Sequence, residues 1–192
     1  MPRSSSCELT QYRAGLNPAI VQAWCYQLLN REHVPAHRKL KRGERRMIIL
    51  EKLAKEILSW PEVSVHPHRF GGREFRFRAA EIGHVHVGGI LDIPFPRTIH
   101  DPLLDEGLAK EHPWVPGSGW ITFRIRTEHD LDHALWLARL SHGRYLLKTS
   151  KDPNQALEQL SDELRLSSRF KSLLEPFLPR SARVITFQSA SA

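Results

Sequence analysis

The chain is poor in cysteine, and the two it has, Cys7 and Cys25, both sit near the N-terminus. Such a pair makes no disulfide framework, and it stands far in sequence from the histidine-rich segments. Long apolar runs are lacking too: nothing approaches the roughly 20 residues of a membrane span. The opening Met1-Pro2-Arg3-Ser4-Ser5-Ser6 has no apolar stretch of the secretory type. A cytoplasmic location is therefore expected. Acidic residues are the scarcer charge, 21 against 28 basic, for a net +7. That balance favours anions without naming one. Familiar catalytic templates are missing as well. There is no Gly-x-x-x-x-Gly-Lys-Ser/Thr loop, no Gly-x-Gly-x-x-Gly after a strand, no Gly-x-Ser-x-Gly elbow and no His-Glu-x-x-His. Nucleotide-dependent enzymes and those with a serine or cysteine nucleophile are disfavoured accordingly.

What is present is an ordinary globular composition, 41% hydrophobic and 26% charged over 192 residues. Asn17-Pro18 has the form of a helix start, and the helix would run through Ile20, Trp24 and Leu28 to about Arg31. Pro35 and a basic run (Arg38, Lys39, Lys41, Arg42, Arg45, Arg46) form a link, and Gly43 to Trp60 is expected as a second helix with Met47, Leu50, Ala54 and Ile57 on one stripe. After Pro61 the period drops to 2. Val63 and Val65 predict one strand, Phe75 and Phe77 another, joined across Gly71-Gly72. Ile82 to Phe95, broken by Gly88-Gly89, predicts a further hairpin or a bulge. Asp101-Pro102 is expected to open a short helix reaching Lys110, and Trp120 to Arg126 is a clear strand. Thr127 is expected to cap a helix through Leu131, Leu135, Ala138, His142 and Tyr145. Helices near 154–164 and 167–175 follow, with a late strand over Arg183 to Gln188. The fold class is α+β with a mainly antiparallel sheet. The organisation is an N-terminal helical segment over 1–61 packing on a core over 62–147, then a helical extension over 148–192.

The chemistry concentrates in Glu81-Ile82-Gly83-His84-Val85-His86 and, further on, Glu111-His112-Pro113. On a strand, residues two apart face the same way, so His84 and His86 share one side. With His112 and Glu81 they can form a metal site, an acid–base pair around a small-molecule pocket, or an ordinary polar strand face. Asp92, two residues before Pro94, is placed to orient a histidine by accepting its ring N–H, or else to face water. Trp120 can close one side of a flat-ring pocket or pack in the core. Arg76/Arg78 and Arg124/Arg126 each present a cationic face that suits a carboxylate or water. The run Arg38–Arg46 could bind phosphate or nucleic acid, but it holds no aromatic residue for stacking on bases.

Taken in order, several segments resemble the luciferase domain family, which includes fungal luciferases that oxidise 3-hydroxyhispidin and many bacterial proteins. The matching pieces are Arg69-Phe70-Gly71-Gly72-Arg73-Glu74-Phe75, Glu81 to His86, Leu91-Asp92-Ile93-Pro94-Phe95-Pro96, Glu111-His112-Pro113, Ser118-Gly119-Trp120-Ile121-Thr122-Phe123 and Leu140 to Tyr145. The resemblance spans about 62–147 and is closer to the bacterial members. The chain departs from the fungal pattern in three ways: no N-terminal anchoring segment, a shorter histidine-rich turn after His86, and a helical tail after Lys148. The resemblance implies an oxygen-using enzyme acting on a hydroxypyrone or phenolic compound without flavin or haem. Catalytic roles would fall to His84, His86, His112 and Glu81, and substrate contacts to Trp120, Tyr145, Asp92 and Arg124. No cofactor beyond O2 is expected. A divalent metal on His84, His86 and His112 is the alternative, and a non-catalytic basic binding protein is a further one.

Overall fold

The computed structural model describes residues 41–183. The expected helix from Asn17-Pro18, the late strand after Arg183 and both cysteines lie outside the described residues. Helix α1 (Arg42–Leu58) opens with the Glu44 carboxylate accepting the Lys41 backbone N–H at 2.8 Å. It buries Ile49, Leu50, Leu53, Ala54 and Ile57. Met47, expected on that stripe, is 37% exposed, and Ile49 and Leu53 fill the face instead.

Four short strands follow as a meander: β1 (Val63–His68), β2 (Gly72–Phe77), β3 (Ala80–Val85) and β4 (Ile90–Pro94). Then come α2 (Arg97–Asp105), β5 (Lys110–Glu111), β6 (Trp120–Arg124), α3 (His129–Thr149), α4 (Pro153–Leu164) and α5 (Ser168–Leu174). The strands make one six-stranded sheet in the order β1-β2-β3-β4-β6-β5, antiparallel at every pairing. This is the α+β class that the sequence predicts. Among the described residues no helix is long and apolar enough to cross a membrane.

Two helix starts differ from expectation. Helix α2 begins at Arg97 behind Pro96, and Pro102 lies inside it. The Asp101-Pro102 pair has the form of an N-cap, but Ile99 and Leu103, four apart and both fully buried, fix one helical face across it. Helix α3 begins at His129, and Thr127 acts as a donor rather than a capping acceptor. The Asp130 carboxylate accepts the backbone N–H groups of Arg126 and Thr127, each at 2.8 Å, and the Thr127 hydroxyl at 3.0 Å.

The sheet has two unlike faces. Phe75, Phe77, Ile82, Val85, Leu91, Ile93 and Ile121 are buried in the core, and α1 and α3 pack on this side. The other face carries polar side chains in register. His66 pairs with Glu74, Glu74 with His84, His84 with Asp92, Asp92 with Thr122 and Thr122 with Lys110. Directly paired residues point the same way, so these six residues cross the sheet as one row.

A bulge in β3 adds Glu81 to that face. Phe75 pairs with Gly83 but Arg76 pairs with Glu81, so β3 spends one extra residue there. In a regular strand, residues three apart point to opposite sides; the extra residue brings Glu81 and His84 to the same one. Ile82 meanwhile stays in the core. Gly83 makes the bend: its φ is +145°, and a Cβ there would lie 2.9 Å from Ile93 Cγ1 and 3.1 Å from the Asp92 carbonyl oxygen. Gly83→Ala should therefore destabilise the protein by roughly 1–3 kcal/mol. Chemical denaturation measures this, and the loss should come with a change in the His84 ring resonances.

Candidate functional site

The site is centred on the Asp92 carboxylate, in β4, which is only 2% exposed. Its Oδ1 accepts a hydrogen bond from the Thr122 hydroxyl at 2.5 Å. Its Oδ2 faces the Nε2 atoms of His86, His84 and His112 at 3.4, 3.6 and 3.7 Å. The three histidines thus converge on one oxygen, although only His84 lies within a strand; His86 and His112 stand one residue beyond the ends of β3 and β5. His112 is brought in because its backbone N–H extends the β5–β6 pairing to the Trp120 carbonyl at 3.1 Å.

Each histidine has a different second contact. His84 Nδ1 lies 2.7 Å from Glu81 Oε1, so this imidazole has a carboxylate at both nitrogens. Burial alone would push its pKa down, but Asp92 and Glu81 outweigh it and raise it to about 9. His86 shifts the other way: partial burial and the neighbouring His84 cation lower its pKa, against the pull of Asp92. Asp92 itself is held below the usual carboxylate range. Burial opposes that shift, and the hydrogen bonds from His84 and Thr122 together with the His84 charge overcome it. On His112, Nδ1 accepts the Trp114 backbone N–H at 3.2 Å, which places the ring proton on Nε2, toward Asp92.

Trp120 lies beside two of these rings, with centroids 5.3 Å from His84 and 6.3 Å from His112. Tyr145 and Arg124 are placed elsewhere. Tyr145 is on α3, on the core side of the sheet; it packs on Phe77 and its hydroxyl donates to the Glu81 carbonyl at 3.4 Å. It therefore braces the bulge from beneath. Arg124 stands at the exposed end of β6 opposite Ile90, two positions beyond Thr122.

Three site residues were not expected from the sequence: His68, Glu74 and Thr122. The His68 ring stacks on His84 at 3.8 Å and 14° and meets His86 edge-on at 5.4 Å, and one nitrogen from each of the three lies within 4.8 Å of the others. Its Nδ1 is 3.5 Å from Glu74 Oε2. The signal for His68 lies in its pairing partner, since it sits opposite Gly72, whose missing side chain leaves room for the ring. Thr122 follows from strand alternation with Trp120. An open hollow lined by Leu108, His129, Asp132, His133 and Trp136 contains none of the expected residues. There His133 Nε2 is committed to the Leu108 carbonyl at 2.6 Å.

The class defined by fold and site is an antiparallel sheet backed by helices, with a histidine–carboxylate cluster on its other face. A family model described as the luciferase domain matches residues 79–141. The resemblance drawn from the sequence is thus supported over the segment that holds Glu81, His84, His86, Asp92, His112, Trp120 and Thr122. Comparison with curated proteins and with solved structures gives no match.

The His84 shift has a consequence for stability. Its folded pKa of about 9 lies above the 6.5 of an unperturbed imidazole, so the stabilisation is fully present below pH 6.5 and is lost as pH rises through 9. Ring-proton NMR should find a histidine titrating near pH 9 in the wild type. In Glu81→Gln that midpoint should fall, and the decline in stability should begin at lower pH.

Proposed function

We propose that the histidine face is the active site of a luciferase-like oxygenase, acting on a small ring compound with an acidic enol or phenol hydroxyl. The observation that carries this reading is the opposite tuning of two adjacent imidazoles around one carboxylate. A base must be neutral at working pH and an anion-stabilising group must stay charged; His86 and His84 are shifted in those two directions.

In this reading His86 Nε2 takes the hydroxyl proton, and the electron pair left on the substrate oxygen makes the ring an enolate or phenolate. The His84 imidazolium, held by Glu81 and Asp92, stabilises that anion. O2 is the oxidant: the electron-rich ring carbon forms the new C–O bond to it, and oxygen is reduced as the ring is oxidised. His112 donates its Nε2–H into the same space, and Trp120 offers an apolar plane beside the ring. Roles for Arg124 and Tyr145 in contacting substrate have no support from their positions. The luciferase-domain match is what favours oxygen chemistry over other proton-transfer chemistry, and a hydroxypyrone of the 3-hydroxyhispidin type is the first substrate to try.

Oxygen uptake and light output with hydroxypyrones test this directly, using protein freed of metal by chelation. His86→Ala and His84→Ala should each lower kcat/KM by about 10²–10⁴-fold. The pH profile should be a bell. Its acid limb lies below the ordinary histidine value, where His86 gains a proton, and its alkaline limb lies near 9, where His84 loses one. Full activity in a double His84→Ala/His86→Ala variant removes this site from the reaction.

A further inference from the structure

The geometry points to a binding site for a divalent first-row transition-metal ion formed by His84 Nε2, His86 Nε2 and Asp92 Oδ2. A tetrahedral ion with bonds of about 2.0–2.2 Å to nitrogen and oxygen holds its ligand atoms about 3.3–3.6 Å apart. Asp92 Oδ2 already lies 3.4 Å from His86 Nε2 and 3.6 Å from His84 Nε2. The donor set, two imidazoles and a carboxylate, suits zinc and its neighbours.

The surroundings also fit. A metal-bound histidine usually gives its other ring N–H to a carboxylate, which fixes the ring. Glu81 stands 2.7 Å from His84 Nδ1, and Thr122 occupies the other oxygen of Asp92 at 2.5 Å, leaving Oδ2 for the ion. His84 and Asp92 stand opposite each other on paired strands, and His86, one residue past β3, is tied to the partner strand by its backbone N–H to the Ile90 carbonyl at 2.8 Å.

His112, the third histidine near Asp92, is excluded from the ligand set. Trp114 N–H points at its Nδ1, so the ring proton is held on Nε2 and cannot move to Nδ1, whereas His84 can release its Nε2 proton to an incoming ion and keep Nδ1–H on Glu81. His68 is near enough, with a nitrogen within 4.8 Å of those on His84 and His86. Its ring is nearly parallel to His84 at 3.8 Å, however, and stacked rings do not aim their lone pairs at a common point. It reaches the fourth position only by leaving that stack. The site thus has three ligands and one open position.

An ion at this position occupies the space where the proposed function puts the substrate hydroxyl, and only that consequence rests on the proposed function. Binding is read without reference to activity. The full-length chain, stripped by chelation and dialysed, is titrated with Zn2+ by calorimetry, with metal content checked by elemental analysis. One ion per chain is expected at low micromolar concentration or below. His84→Ala and His86→Ala, each checked for fold by circular dichroism, should weaken binding by about 10–100-fold. His112→Ala should change it by less than about threefold. Absence of stoichiometric binding overturns the site, as does binding unaffected by His86→Ala or weakened as much by His112→Ala. Oxygen uptake by the metal-free protein is scored separately, so failure of the metal site and failure of the oxygenase reading are distinguishable.

Discussion

A carboxylate in the middle of a sheet and 2% exposed costs several kcal/mol in desolvation unless charge and hydrogen bonds compensate it. Asp92 is in that position, and the rest of the polar face is organised to answer it. Thr122 satisfies one oxygen, and three imidazole nitrogens surround the other. The raised pKa of His84 and the lowered pKa of Asp92 are one attraction seen from its two ends. The price of burying Asp92 is what makes His84 a stable cation, and the His84 cation in turn helps to keep His86 neutral.

The backbone supplies the geometry that this electrostatic arrangement needs. Without the bulge at Ile82-Gly83, Glu81 would point into the helices and His84 would have a carboxylate at one nitrogen only. The bulge is supported from below by the Tyr145 hydroxyl at the Glu81 carbonyl. Helix α3 therefore contributes to the site through strand β3 while remaining on the opposite side of the sheet. This also gives Tyr145 a structural place in the luciferase-like pattern, beneath β3.

Much of this was legible in the chain. The period-2 runs, the glycine turns and the His84/His86 alternation are local signals, and local backbone geometry decides them. The row from His66 to Lys110 was not legible, because it depends on register between strands, and register is set by the turns and the bulge together. Glu81 illustrates the limit: nearness in sequence points to it, yet regular alternation puts it on the wrong face. His68 gives no local signal because it joins the cluster across Gly72 and β2 rather than along β3. The cationic face shared by Arg124 and Arg126 suggests an anion contact, but strand alternation says nothing of distance along the strand, and Arg124 stands at its exposed end.

His142 shows why counting histidines could not find the site. It is fully buried on α3, between the rings of Trp60 and Phe77, and it belongs to the same run of family-like residues. Among the described residues no carboxylate is hydrogen-bonded to it; its Nδ1 instead faces the Arg139 guanidinium at 2.8 Å. Burial and that cation drive its pKa down to about 4. His84 is almost as buried and goes to about 9. The two residues differ little in exposure and almost wholly in the sign of the charge beside them. Burial therefore does not separate a core histidine from one in the candidate site here. The separation is made by the two carboxylates, one delivered by strand register and the other by a bulge.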